Sequence, residues 1–156
     1  MQTIEPKENI IINHPFLDHL APDFHEFFEK SASFRKFNSG EEIFHEGNQA
    51  ERFFLIVSGS VLLETFVPGC GTVIIQRLGT GQALGWSWLF HPYQWHFSAT
   101  AGEPTELIEF AAAHLREKAN QNPGFANELL TRVAKILLER LQFTRLQLID
   151  LYGMRP

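Results

Sequence analysis

The spacing of apolar positions along the chain changes twice. Between about 13 and 30, Phe16, Leu17, Leu20, Phe24, Phe27 and Phe28 recur at helical spacing, punctuated by Pro15 and Pro22. Proline breaks a helix interior, so this zone predicts one or two short helices rather than a long one. From Phe34 to Phe110 the apolar residues gather in short runs that end at glycine. Phe53 to Val57 stops at Ser58-Gly59-Ser60, Val61 to Val67 at Pro68-Gly69-Cys70-Gly71, and Thr72 to Leu78 at Gly79-Thr80-Gly81. Runs of β-branched and aromatic residues bounded by turn formers predict strands joined by tight turns. Many of them in series predict an antiparallel barrel or jelly roll.

After Phe110 the pattern turns helical again, first over Ala111 to Asn120 and then, past Pro123-Gly124, over about 124–151. In this last stretch Leu130, Ala134, Leu137, Leu141, Thr144, Leu148 and Leu151 follow alternating steps of four and three, a heptad seam. A helix of that length is roughly 40 Å long. One side can lie on its own domain while the seam faces a second copy, because a two-fold seam is self-complementary. A helix buried wholly against its own domain is the other reading. The chain thus divides into a helical segment (1–33), a β core (34–110) and C-terminal helices (111–156), expected to form one domain overall.

Composition narrows the function classes. Of 156 residues, 44% are hydrophobic, which excludes wholesale disorder. The single cysteine, Cys70, excludes an internal disulfide and a C-x-x-C zinc site, and its Pro-Gly-Cys-Gly setting predicts an exposed hairpin tip. No window of about 18 apolar residues exists, and the start Met1 to Glu8 lacks the order of a secretory signal, so no membrane role and a cytoplasmic location are expected. Residues 1–115 carry 6 basic and 14 acidic side chains; residues 116–156 carry 7 and 4. That small basic excess on one helix does not make a nucleic-acid-binding face.

The stretch from Ile43 through Gly47 and Gly59 to Val61 resembles the opening of a cyclic-nucleotide-binding domain, as shared by catabolite-activator and FNR-type (Crp/Fnr) bacterial regulators. The likeness continues in Leu78-Gly79-Thr80-Gly81-Gln82-Ala83-Leu84-Gly85, in Ala101, in Leu107-Ile108-Glu109-Phe110, and in Arg140-Leu141-Gln142-Phe143-Thr144. It covers roughly residues 14–151. It implies a mainly β fold with flanking helices: a double-stranded β-helix (jelly roll, RmlC-like) β-roll, an N-terminal helix and a long C-terminal dimerisation helix. The function implied is ligand sensing and regulation.

The ligand cassette departs from the family's pattern. Binders of cyclic nucleotides carry Gly-Glu on a short phosphate-cradling helix, where the glutamate accepts from the ribose hydroxyl, and an arginine some ten residues on for the cyclic phosphate. Here Gly85 is kept, Trp86 stands at the glutamate, and the arginine position falls on Trp95, or on His96 with a shift of one. Each charged partner lost costs about 1.5–3 kcal/mol, so losing both predicts nucleotide binding weaker by roughly 10² to 10⁴-fold. Thr144 matches a base-contacting threonine, and Arg145 beside it would supply positive charge across a dimer.

The resemblance therefore places the pocket at Gly85, Trp86, Ser87, Trp88, Trp95, His96, Phe97 and Ser98, with Thr144 and Arg145 above. The segment 86–97 holds all three tryptophans. Its aromatic walls suit a small aromatic or nucleotide-like ligand; equally, the indoles plug a vacated pocket and leave a ligand-free dimeric scaffold. No cofactor is identified. The seven histidines contain no His-x-His, so no metal centre is expected, and four-cysteine clusters are excluded by count. No nucleophile elbow or phosphate loop appears, so no catalysis is expected. The chain stops at Pro156 without room for a recognition helix, so direct DNA binding is not expected unless the sequence is the truncated effector half of a transcription regulator. A downstream protein partner would then receive the signal.

Overall fold

A computed structural model describes residues 7–153. The amino-terminal stretch up to residue 6, part of the signal-peptide assessment above, lies outside them. Helix α1 (Lys7–Ile12) leads into a 3-10 turn at Pro15–Leu17 and helix α2 (Pro22–Ser31), the short helices that Pro15 and Pro22 punctuate. His14 fastens the turn. Its Nδ1 accepts from the Phe16 amide at 3.1 Å, so Nε2 carries the proton and donates to the Ile56 carbonyl at 3.0 Å. Burial holds this imidazole's pKa below its ordinary value, partly offset by the Ile56 bond.

Eight strands follow: β1 (Ser33–Phe37), β2 (Glu42–Phe44), β3 (Arg52–Ser58), β4 (Ser60–Val67), β5 (Gly71–Gly79), β6 (Ala83–Leu84), β7 (Ser98–Ala101) and β8 (Thr105–Ala111). They form two four-stranded sheets, ordered β1-β8-β3-β6 and β2-β7-β4-β5, antiparallel throughout. This is the jelly-roll β-roll that the glycine-punctuated runs predict. At the turn between β3 and β4, Gly59 takes φ +94°, and a Cβ there would collide with Thr105 Oγ1 and the Pro104 carbonyl.

Strand β3 is buried on both faces, which explains its unbroken run of apolar residues rather than an alternation. Phe54 looks into the space between the sheets, where its ring lies 6.1 Å from Phe44 of β2. Phe53 looks the other way, toward Phe16 at 5.2 Å and Phe110 at 5.9 Å, and Phe110 in turn meets Phe28 of α2 at 5.3 Å. The molecule thus has an inter-sheet layer and a second aromatic layer beneath the N-terminal helices. Strand β5 forms an outer edge, paired only with β4 among the described residues, and Val73, Ile74 and Ile75 are exposed along it. Cys70 sits exposed at the β4–β5 hairpin tip.

Helix α3 spans Ala112–Gln121 and α4 spans Pro123–Leu151. Asn122 caps α4 by accepting from the Phe125 amide at 3.1 Å, with Pro123 in the first helical position, where its missing N–H costs nothing. The chain forms two compact units that divide between Glu117 and Lys118. The break falls inside α3 rather than at 110. Ala112 and Leu115 are fully buried, and the Ala112 amide donates to Glu51, which holds the first turn of α3 on the β core. In the second unit, Phe125, Leu129 and Val133 of α4 are buried. The seam positions Leu130, Ala134, Leu137, Leu141, Thr144, Leu148 and Leu151 are exposed.

Candidate functional site

The segment joining β6 to β7 begins at Gly85, whose φ of +92° redirects the chain. A 3-10 turn at Ser87–Leu89 follows, and residues 93–95 then pair with the turn after β2. The Gly47 amide donates to Trp95, that of Trp95 to Asn48, and that of Ala50 to Tyr93. These bonds deliver the Trp95 side chain between the sheets. Its ring stacks on Phe44 with centroids 3.8 Å apart and planes 12° apart, and the residue is 5% exposed. Its far edge stands at Gly85, where a Cβ would lie 2.9 Å from both Cζ3 and Cη2. The floor of the cassette is thus covered by an indole, with Phe44 and Phe54 behind it.

Trp86 and Trp88 do not join it. Trp86 packs on Phe53 at 4.9 Å and Phe16 at 5.9 Å, and Trp88 packs on Phe53 at 5.7 Å. Both belong to the layer under the N-terminal helices, on the opposite side of the sheet from Trp95. The expectation that Trp86 and Trp88 line one pocket with Trp95 is corrected: the turn at Gly85 sends them to the other face. Neither buried indole N–H has a hydrogen-bond partner among the described residues. Ring packing holds them there against that cost.

The remaining pocket residues divide similarly. Ser87 Oγ lies 3.0 Å from His96 Nδ1, joining the start of the 3-10 turn to the exposed His96. Ser98 Oγ accepts from the Glu46 amide at 2.9 Å, and Phe97 is 42% exposed. Thr144 and Arg145 are exposed on α4 in the second unit, and the Thr144 hydroxyl donates to the Arg140 carbonyl at 2.9 Å. The His91 ring lies 5.7 Å from that of Tyr93. Among the described residues no group of three His, Cys, Asp or Glu side chains stands where it would hold a metal. No helix among them is long and apolar enough to cross a membrane.

Two arrangements escaped the sequence reading. Arg116 of α3 donates from Nη1 to the Trp88 carbonyl at 2.8 Å, and its guanidinium lies 4.8 Å from the centre of the Tyr93 ring. One side chain thereby ties Trp88 to Tyr93 within the cassette segment. Second, Glu109 of β8 is 6% exposed and is held by Arg52 Nε at 2.9 Å and Arg35 Nη1 at 3.1 Å. The alternation of β3 and β8 would have placed Arg52 and Glu109 on the inter-sheet face with Phe54, given the register.

This geometry defines a jelly-roll β-roll with an irregular cassette at the β6–β7 connection. The family model for the cyclic nucleotide-binding domain matches residues 34–122, and the chain belongs to that family. Its structural neighbours include cyclic nucleotide-binding proteins and Crp/Fnr-type regulators. A Geobacter metallireducens GS-15 protein classed as cyclic nucleotide-binding superposes with a TM-score of 0.75 at 26% identity, covering 89% of this chain and 99% of that one. The Thermus thermophilus catabolite activator protein gives 0.69 at 25% identity, over 89% of this chain and 63% of that one. Lysophospholipase nte1 of Neosartorya fischeri is 23% identical over 105 residues, 67% of this chain, which spans 7% of that much longer protein.

Proposed function

We propose that this chain is a non-catalytic regulatory domain of Crp/Fnr type, acting in the cytoplasm as a homodimer through α4, whose cassette does not hold cyclic AMP or cyclic GMP efficiently. The observation that carries the reading is the contact of Trp95 with Gly85, where the family's phosphate cradle lies. An indole there takes the space of a phosphate and offers no permanent positive charge in return. No glutamate or arginine occurs anywhere from Gly85 to Ser98. The exposed leucines of the α4 seam support the dimer.

As a sensor, the domain shifts the packing of its dimer helix when a ligand contacts the 85–90 segment, and only by the ligand's differential affinity for the two packings. Arg116 at the end of the first unit grips that segment from α3, which supports the segment as the part a ligand would move. Calorimetric titration with cyclic AMP and cyclic GMP tests the reading. No saturable heat at micromolar concentration is expected, and a micromolar dissociation constant for either nucleotide overturns it.

The burial of Trp95, stacked and 5% exposed, also favours a second reading: a scaffold whose pocket is permanently filled. That reading expects a stable dimer whose melting temperature no small molecule raises.

A further inference from the structure

The carboxylate of Glu109 faces the inter-sheet space, since its register partner Phe54 points there. Arg52 and Arg35 converge on its two oxygens, one on each. Two cations brought this close repel, and one carboxylate cancels only one of them. Arg52 engages through Nε and Arg35 through Nη1, which leaves the two Nη groups of Arg52 and the Nε and Nη2 of Arg35 without a partner among the described residues. Each arginine side chain is 51% exposed, so those donors are open to solvent, while the anchoring carboxylate is buried. Arg35 is further fixed by lying 4.9 Å over the Phe37 ring. The Arg52 carbonyl is 3.6 Å from where a Gly85 Cβ would stand, so the backbone of β3 borders the cassette at this residue.

We infer that Arg35 and Arg52 form a binding site for a small oxyanion, a carboxylate or phosphate group taken between two guanidinium forks that Glu109 holds in place. Planar forks suit such groups because each presents parallel N–H donors to a pair of oxygens. The site gathers two guanidinium groups on β1 and β3, the kind of charge absent at position 95. This inference rests on the reading of the domain as a ligand sensor and assigns the ligand's charge.

The test measures melting temperature and calorimetric binding on the whole chain, with inorganic phosphate and with citrate, against chloride at matched ionic strength. The wild type is expected to show a saturable rise with at least one of the two. A response to phosphate alone assigns a phosphate ligand and a response to citrate alone a carboxylate. The triple variant Arg35→Met, Arg52→Met, Glu109→Gln removes the forks without stranding a buried charge, and is expected to bind at least about tenfold more weakly. Arg52→Lys, which folds with the charge retained but the fork lost, is expected to fall between. Phosphate and citrate also stabilise proteins generally by exclusion from the surface. A rise of equal size in the triple variant, or no saturable response in the wild type, therefore overturns the site. Because neither readout uses a nucleotide, failure here is distinct from cyclic AMP binding at the cassette.

Discussion

Gly85 and Trp95 meet edge to face, the glycine at φ +92° and the indole so near that no side chain fits between them. Gly85→Ala therefore suffers both backbone strain and a clash with a ring that is itself locked against Phe44. We expect a loss of about 2–4 kcal/mol in urea unfolding. Gly47 has nearly the same φ, +89°, with nothing within 4 Å, so Gly47→Ala carries the backbone part alone, about 1 kcal/mol. Equal losses in the two variants would falsify the close approach of Trp95.

A pH effect follows from His14. Its folded-state pKa is lowered by burial from the ordinary 6.5, so the unfolded chain takes up a proton that the folded protein refuses. The stability it contributes is complete above pH 6.5 and declines below it, by up to about 1.4 kcal/mol per pH unit, until the folded-state value is reached. His14→Asn keeps an acceptor for the Phe16 amide and removes the titration. It should be less stable at neutral pH, with a shallower decline just below 6.5. Parallel pH profiles for the two proteins would refute the account.

Phe53 is fully buried and touches Phe16, Trp86, Trp88 and Phe110. Phe53→Ala empties the centre of that layer at an expected cost of about 3–5 kcal/mol. In near-ultraviolet circular dichroism it should disturb the signals lost in Trp86→Phe and spare those lost in Trp95→Phe. The reverse pattern would place the tryptophans on the wrong faces.

Along α4, Leu137 and Leu141 are 41% and 48% exposed. Leu137→Asp with Leu141→Asp should halve the sedimenting mass at micromolar concentration while the far-ultraviolet helical signal persists. A mass unaffected by the two charges would remove the seam from the interface.

Much of the architecture is legible from spacing alone. The helix of 124–151 lies close to where its spacing puts it because its apolar residues repeat with the period of its backbone, and β3, β4 and β5 do so because glycine and proline bound their apolar runs. The cassette is legible only in part. Between Gly85 and Trp95 the chain is irregular, so neither a two- nor a 3.6-residue period says which way a side chain points. Trp86 and Trp95 read alike as a string and lie on opposite sides of a sheet. The Arg35–Glu109–Arg52 cluster was hidden for another reason: its members are distant in sequence, and only the pairing of β1 and β3 with β8 unites them.

Strand β5 carries a practical consequence. Its outer rim has no strand partner among the described residues beside Val73, Ile74 and Ile75, and no lysine or proline interrupts it from Gly71 to Gly79. Such a rim is a template for runaway self-stacking into insoluble ribbons. A lysine in place of Ile74, the most exposed of the three, should raise the concentration at which the purified protein stays clear.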